Sequence, residues 1–270
     1  MPLAQVNGFE MYYETMGEGP PLVFAHGVGG NHAIWWKQAK YFAQWYKVIT
    51  FDHRGFALSK DVEGGPGRAA FVDDLEGLLD FLKLKKVSLV AQSMGGRTCL
   101  GFAVHNPERV HALVMAATTG FFEASGELAV LQEATRKATE GLSQAERVLS
   151  PSYRERDPVG TELYLKISGF NASTQARLAG ATMAAVSGPS TAALKESDLA
   201  RVTMPVRFIG GEDDVLQPPA VLEMACMLFP NASLVEVPQC GHSMYFEKPD
   251  VFNFLVHRFL KECGIEGPTD

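Results

Sequence analysis

The sequence predicts an α/β protein in which helices flank a mostly parallel central sheet and an inserted helical cap covers one face. Strand-like runs alternate with helical patterns up to residue 119 and again from residue 201, the order that βαβ units produce. Between residues 120 and 200 the strand rhythm stops, and apolar residues recur at helical spacing. We therefore assign residues 1–119 and 201–270 to one core domain and residues 120–200 to a cap.

The elements follow from local patterns along the chain. Apolar positions three and four residues apart predict flanking helices over residues 34–45, 68–84, 94–105, 218–228 and 249–262. In the insertion, Ser143 and Glu146 have the spacing of a capping box, which marks a helix start. In the last helix, we expect four apolar residues to pack on the sheet: Val251, Phe254, Leu255 and Leu260. The predicted strands are short apolar runs: Phe9–Thr15, Pro21–Gly27, Lys47–Asp52, Val87–Gln92, Val110–Ala116, Pro205–Gly210 and Ser233–Val237.

Composition and charge exclude several classes of protein. The net charge is −7 and the cations are scattered, which argues against nucleic acid as a partner. No run of 18 apolar residues is present, so we expect no membrane span. The N-terminus lacks the regions of a signal peptide, and the four cysteines form no CxxC pair, so we expect neither a metal site nor a disulfide framework. These features predict a cytoplasmic protein with reduced thiols.

The predicted strand Val87–Gln92 ends on a serine that is followed by Met94 and two glycines. A strand, a serine and a glycine-containing turn into a helix are the context of a nucleophile elbow. Such a turn needs small residues two positions before and after the serine, and Ala91 and Gly95 meet this need around Ser93. The alternative is that Ser93 simply caps the following helix.

A serine nucleophile also needs backbone donors for the negative charge that develops on a substrate carbonyl oxygen. The glycine-rich turn from His26 to Gly30 follows a predicted strand, and we expect the N–H of Val28 to face the serine. The N–H of Met94, at a helix start, is the second candidate donor. A dinucleotide loop would need glycine where His32 stands, so we expect no nucleotide cofactor.

A serine on a nucleophile elbow needs a histidine base and an acid that orients it. In α/β proteins with this elbow the three residues follow one another along the chain in the order serine, acid, histidine. Of the seven histidines, only two leave room for an acid after the insertion, and His257 lies within a predicted helix. His242 lies in a loop after a strand and is therefore the predicted base. The preceding strand ends at three carboxylates, Glu212, Asp213 and Asp214. We select Asp214, with Asp213 as the alternative, because acids at such turns also cap helices.

The motifs, in this order, resemble the α/β-hydrolase fold superfamily over nearly the whole chain: His26-Gly27 with Gly29-Gly30, Asp52-His-Arg54-Gly55-Phe-Ala-Leu-Ser59, Ser93-Met-Gly-Gly, Gly211-Glu-Asp-Asp214, and Gly241-His242 with Glu247-Lys-Pro249. The chain departs from the pattern at Ala57 and Ala91, where glycine is usual, but both residues are small and we expect the turns to survive. The resemblance implies that Asp52 and Arg54 hold loops together. The serine separates this chain from haloalkane dehalogenases and epoxide hydrolases, which resemble it but place aspartate there.

The chain is most similar in character to enol-lactonases, carboxylesterases and C–C bond hydrolases with a helical lid. This predicts a serine hydrolase that cleaves a small carboxylic ester or lactone through an acyl-enzyme, without a cofactor. Cleavage of C–C bonds in vinylogous diketones, cofactor-free perhydrolysis and a ligand receptor on a hydrolase fold remain alternatives. Six residues are candidates for an apolar pocket lining: Trp35, Trp36, Phe121, Phe122, Met183 and Met244.

Overall fold

A computed structural model describes residues 2–171 and 194–267 of the protein. The strands in these ranges are β1 Leu3–Val6, β2 Phe9–Met16, β3 Pro21–Ala25, β4 Lys47–Phe51, β5 Val87–Gln92, β6 Val110–Ala116, β7 Val206–Gly211 and β8 Ala232–Val237. They form one sheet in the order β1-β2-β4-β3-β5-β6-β7-β8. β2 pairs antiparallel with both β1 and β4, and all other neighbours are parallel. The predicted α/β class with a mostly parallel sheet is therefore confirmed.

The α-helices of the same ranges are α1 Trp36–Phe42, α2 Phe71–Phe81, α3 Gly95–His105, α4 Gly126–Ala138, α5 Gln144–Val148, α6 Pro151–Arg156, α7 Pro158–Gly169, α8 Pro219–Cys226, α9 Met244–Glu247 and α10 Pro249–Glu262. Four of them, α4 to α7, lie between β6 and β7 in the chain. The predicted capping box is present, because Ser143 Oγ accepts from the Glu146 N–H while the Glu146 carboxylate accepts from the Ser143 N–H. Among the described residues, no helix has the length and apolarity that a membrane crossing requires.

The centre of the sheet is covered on both sides. Every residue of β5 is buried, as expected for a parallel strand between two layers of helices. On one side α2 and α3 contribute Leu75 and Phe102 to the core. On the other side Trp35, just before α1, packs with Phe252 of α10. The two helical layers hold β5 in the middle, so the residue that follows β5 is placed by a strand that is buried along its whole length.

The face that α10 presents to the core differs from the prediction. Phe252, Val256 and Leu260 are buried, whereas Val251 and Phe254 are 43% and 58% exposed. The prediction was right for Leu260, right in part for Leu255, which is partly buried against the same cluster, and wrong for Val251 and Phe254. The helix carries apolar residues on more than one face, so the 3.6-residue period alone admits two buried rows.

The first strand was not predicted, although the sequence carries a signal for it. Asn7 and Gly8 form the two-residue turn between β1 and β2, with Val6 paired to Phe9. Both turn residues have positive φ, 43° and 81°. Asn-Gly is the dipeptide that such hairpin turns favour. The predicted helix over residues 34–45 is also shorter than expected, because His32–Trp35 is a 3₁₀ turn.

A buried ion pair joins the loop after β4 to α2. The Arg54 guanidinium donates two hydrogen bonds of 2.7 Å to the Asp74 carboxylate and one of 3.0 Å to Asp61. Burial by itself lowers the pKa of Arg54, but the bonds to Asp74 and Asp61 outweigh it and raise the pKa above its usual value. Asp52 accepts from the backbone N–H groups of His32 and Leu58 in the neighbouring turn. Both residues hold loops together, as the family resemblance implies.

Replacing Asp74 with alanine is expected to lower the free energy of unfolding by about 3 kcal/mol, because the buried Arg54 charge loses its main partner while Asp61 remains. Urea denaturation followed by circular dichroism measures the change. The control is Glu133→Gln, which breaks an exposed ion pair with Arg136 and is expected to change the free energy of unfolding far less, because water and salt screen exposed charges. Equal effects of the two substitutions would contradict the role given to the buried pair.

Candidate active site

Ser93 occupies a tight turn between β5 and α3. Its φ is +49°, in the left-handed region that residues other than glycine rarely adopt. The turn is held by a hydrogen bond from the Ser93 N–H to Ala116 of β6, and by one from the Gly96 N–H to the Ser93 carbonyl. A strained serine between a central parallel strand and a helix is the geometry of a nucleophile elbow.

Small residues around Ser93 are required by contacts with neighbouring strands. A Cβ on Gly95 would collide with the backbone carbonyl of Ala25 in β3, and one on Gly96 would collide with Thr118. Ala91, by contrast, is fully buried in β5 beside Ala25 and has room for its methyl group. The departure from glycine at this position therefore leaves the turn intact. At Ala57, the other departure, the backbone is also left-handed, with φ of +38°.

His242 and Asp214 form a buried pair. The Nδ1 atom of His242 lies 2.9 Å and 3.1 Å from the two carboxylate oxygens of Asp214. Each residue is 3% exposed. The Asp214 carboxylate also accepts from the backbone N–H groups of Leu216 and Gln217, which fix its position. With Nδ1 donating to the carboxylate, a neutral imidazole is left with Nε2 as a hydrogen-bond acceptor.

The other two acids of this loop are directed elsewhere. Glu212 and Asp213 are exposed, and the Glu212 carboxylate accepts from the backbone N–H of Gln239. Neither contacts His242 among the hydrogen bonds of the described ranges. Of the three candidate acids, the structure therefore brings Asp214 to the histidine.

Glu247 secures the histidine loop, a role that the motif in the sequence did not reveal. Its carboxylate accepts from the backbone N–H of Gly241 at 3.2 Å and from the N–H and hydroxyl of Ser150 at 3.0 and 2.6 Å. Ser150 caps α6, so this buried carboxylate joins the α4–α7 region to the residue before His242. Burial raises the pKa of Glu247, against the opposing effect of these hydrogen bonds. From the other side, the Gln92 amide donates to the His242 carbonyl at 3.3 Å.

Ser93 and His242 line one cavity of about 690 Å³, together with Val28 and Met94. No hydrogen bond joins Ser93 to His242 among the described residues. The turn that carries Val28 approaches the serine closely, since a Cβ built on Gly27 would lie 2.9 Å from the Ser93 Cβ. The structure thus collects around one space a hydroxyl, an imidazole backed by a carboxylate, and the two segments whose N–H groups are candidate oxyanion donors.

The pocket lining differs in part from the prediction. Phe121 and Phe122 line the cavity as expected. Trp35 and Met244 are instead completely buried in the core, and Trp36 is 49% exposed outside the cavity. Met183 lies outside the described residues. Aromatic and sulfur side chains near a predicted site satisfy core packing and pocket lining equally well, so sequence alone does not separate them.

Two further histidines are buried near the site without joining it. The Nε2 atom of His26 accepts from the His53 backbone N–H at 3.0 Å, and His53 Nε2 lies 2.9 Å from the Thr98 hydroxyl. Burial lowers the pKa of His26 to about 4 and that of His53 well below its usual value. These neutral rings connect the turn that contains Val28 to the loop after β4 and to α3.

Comparison with known proteins agrees with this geometry. Residues 20–249 match the family described as the alpha/beta hydrolase fold, and the chain belongs to that family. It is 29% identical over 260 residues to 3-oxoadipate enol-lactonase 2 of Acinetobacter baylyi, covering 92% of each chain. It is 28% identical over 265 residues to 2-hydroxymuconate semialdehyde hydrolase of Pseudomonas putida, covering 95% of this chain and 92% of the other.

The fold is also similar to that of a solved hydrolase structure. Est816, presented as an N-acyl homoserine lactone degrading enzyme, superimposes with a TM-score of 0.77 at 27% identity, over 96% of this chain and 100% of the other. The family and the relatives together support hydrolase activity on small molecules.

Replacing Gly95 with alanine is expected to lower the free energy of unfolding by about 1–3 kcal/mol, because the new methyl group meets the β3 backbone, which cannot move aside. Thermal and urea denaturation measure the loss. Gly169→Ala is the matched control, since an added Cβ there meets no atom of the described residues within 4 Å. It is expected to change stability by no more than about 1 kcal/mol. If Gly95→Ala were as stable as the control, the close approach of α3 to β3 would be disproved.

Proposed function

We propose that the protein is a serine hydrolase that cleaves a small carboxylic ester or lactone through an acyl-enzyme. The observation that carries the proposal is the buried His242–Asp214 pair, with Nδ1 to carboxylate distances of 2.9 and 3.1 Å, beside the same cavity as the left-handed Ser93. A hydroxyl becomes a useful nucleophile at neutral pH only when a base of this kind takes its proton.

In the proposed mechanism, His242 Nε2 takes the proton of Ser93 as the hydroxyl oxygen attacks the substrate carbonyl. Asp214 holds the imidazole in the required tautomer and stabilises the imidazolium that forms. The N–H groups of Val28 and Met94 stabilise the negative charge on the carbonyl oxygen. His242 then returns the proton to the leaving alcohol, and later activates the water that hydrolyses the acyl-enzyme. The reaction needs no cofactor.

Preference for an ester or lactone is supported by the named activities of the enol-lactonase relative and of Est816. The semialdehyde hydrolase relative keeps C–C bond hydrolysis as the second candidate. Assays with aryl esters, lactones and vinylogous diketones separate the two, and dominant C–C cleavage would overturn the ester assignment. Perhydrolysis is tested in the same assays by adding hydrogen peroxide and acetate.

We also propose that residues 120–200 act as a cap over the cavity and that residues 1–119 and 201–270 form the catalytic core. The support is that the cavity is lined by Thr135 of α4, Gln144 of α5 and Tyr164 of α7 as well as by Ser93. A cytoplasmic location is proposed on the four cysteines, all of which are free thiols.

Replacing Ser93 with alanine is expected to lower kcat on an activated ester by about 10⁶-fold, because the attacking oxygen is lost. Steady-state hydrolysis of 4-nitrophenyl esters measures the effect. A fluorophosphonate probe should label the native protein with one equivalent and leave the variant unlabelled. Near-normal hydrolysis by the variant would rule out the mechanism, and rapid labelling of the native protein without turnover would favour a receptor.

Replacing Asp214 with asparagine is expected to lower kcat by about 10³- to 10⁴-fold, because an amide does not hold the productive imidazole tautomer. Asp213→Asn is the control: its side chain is exposed and the same change of charge is made one residue away. The expected effect of the control is within about threefold. A larger loss in Asp213→Asn than in Asp214→Asn would reassign the acid.

A further inference from the structure

The Gly27 carbonyl and the Val28 N–H belong to one peptide group, and its carbonyl is bonded to a buried histidine. Val28 lines the cavity beside Ser93, whereas His26 is fully buried and does not line it. The Nδ1 atom of His26 lies 2.8 Å from the Gly27 carbonyl oxygen. The Gly30 N–H donates to the same oxygen at 3.0 Å. Both acceptor positions of this carbonyl are therefore filled by donors of the turn.

The bond to the carbonyl also sets the N–H of the same peptide group. A peptide group is planar, so a donor that holds the carbonyl fixes the direction of the N–H. No peptide bond of the described residues is cis, so the Val28 N–H points away from the Gly27 carbonyl and from the His26 ring. A hydrogen bond to the carbonyl further polarises the group and makes its N–H a stronger donor. His26 thus acts on both the direction and the strength of this candidate oxyanion donor.

The proton positions around His26 follow from which atoms can donate. A carbonyl oxygen only accepts, so the contact with Gly27 places a proton on His26 Nδ1. Burial lowers the pKa of His26 to about 4, so at neutral pH its Nε2 carries no proton and accepts from the His53 N–H. His53 Nδ1 lies 3.1 Å from the same Nε2 and donates to it as well. This leaves His53 Nε2 to accept the Thr98 hydroxyl proton at 2.9 Å.

The resulting chain of hydrogen bonds runs in one direction. It starts at the Thr98 hydroxyl, passes through the two imidazoles and ends at the Gly27 carbonyl. Thr98 lies in α3, about one helical turn after Met94, whose N–H is the other candidate oxyanion donor. The side chains of the chain are at most 1% exposed, so water does not compete for these bonds. The helix that carries one candidate donor is therefore joined to the peptide group that carries the other.

We propose that His26 is a positioning residue for the hydrolysis: by donating from Nδ1 to the Gly27 carbonyl, it aligns the Val28 N–H with the substrate oxygen on which negative charge develops. This inference rests on the proposed hydrolase function and on Val28 as one of its oxyanion donors. His53 and Thr98 keep His26 in the tautomer that donates. In another serine hydrolase, loss of one oxyanion donor lowered kcat by about 10²- to 10³-fold, so a partial misalignment is expected to be measurable.

The test compares an ester with its thionoester, 4-nitrophenyl butanoate and O-4-nitrophenyl thionobutanoate. Sulfur accepts hydrogen bonds more weakly than oxygen, so oxyanion donors favour the ester. The measured quantity is the ratio of the two kcat/KM values, ester over thionoester, after subtraction of the spontaneous rates. A variant that is merely less folded loses both activities equally and keeps this ratio. The ratio therefore reports on donation to the oxyanion itself.

His26→Leu removes the ring N–H and is expected to lower the ester-to-thionoester ratio about tenfold, mainly through kcat for the ester. His26→Asn has a similar branched shape, but its amide can donate to the Gly27 carbonyl, so its ratio should stay within about threefold of the native value. The matched control is His32→Leu, because the His32 ring contacts Asp52 and not the Gly27 carbonyl. Its ratio should stay within about twofold of the native value, since a loss common to both substrates cancels.

The two proposals fail in different ways. An unchanged ratio in His26→Leu, or equal losses in His26→Leu and His26→Asn, would overturn the role of the Nδ1 donor. If hydrolysis still depends on Ser93, either result removes only the positioning and leaves the hydrolase. Absence of hydrolysis across the whole ester and lactone panel removes the hydrolase, and the inference about His26 with it.

A measurement on the native protein tests the network even if the His26 variants do not fold. Protein labelled with nitrogen-15 in its histidines is studied by NMR at about pH 5.5, where the low pKa values of His26 and His53 leave both rings neutral. At least two neutral rings with the proton on Nδ1 are expected. Fewer than two such rings would overturn the proposal, because His26 would then lack either its donor or the partner that fixes its tautomer.

Discussion

The close approach of α3 to β3 is the constraint on which the site depends. A Cβ atom on Gly95 would collide with the carbonyl oxygen of Ala25, so α3 starts in direct contact with the β3 backbone. The chain therefore passes from β5 into α3 through a tight turn at Ser93. That turn forces Ser93 into a left-handed conformation and directs the N-terminal end of α3 toward the cavity. β5 tolerates the strain because it is buried along its whole length between two helical layers. If α3 lay further from β3, the tight turn at Ser93 would no longer be required, although the sheet could still form.

The charged groups of the molecule fall into two kinds. Arg54 is buried with Asp74 and Asp61, and its hydrogen bonds to Asp74 join the loop after β4 to α2, so its charge serves the architecture. Arg97 is partly buried beside an aromatic ring, with no acid at hand in the described residues. The first arrangement is complete within the chain, whereas no ion pair of Arg97 is found among the described residues. The two arginines therefore differ in pairing, although the side chains of both are at least partly buried.

The sequence allowed the fold class to be predicted, because strand and helix periods alternate clearly and the small residues around Ser93 have few other uses. The pairing of Asp214 rather than Asp213 with His242 was open to choice, since adjacent acids differ only in the direction of their side chains. Phe254 was placed on the wrong face of α10 because that helix is apolar on more than one side. The hydrogen bonds of Glu247 join segments far apart in the chain, so no local pattern encodes them.

The Glu247 carboxylate has a mechanical consequence. It accepts hydrogen bonds from Ser150 at the start of α6 and from the N–H of Gly241, the residue before His242. An outward movement of α6 would therefore pull on the loop that carries His242. Among the described residues, no comparable hydrogen bond ties α4 to the loop that carries His242. A displacement of α4 would therefore not act on the imidazole through a bond of this kind, whereas a displacement of α6 would.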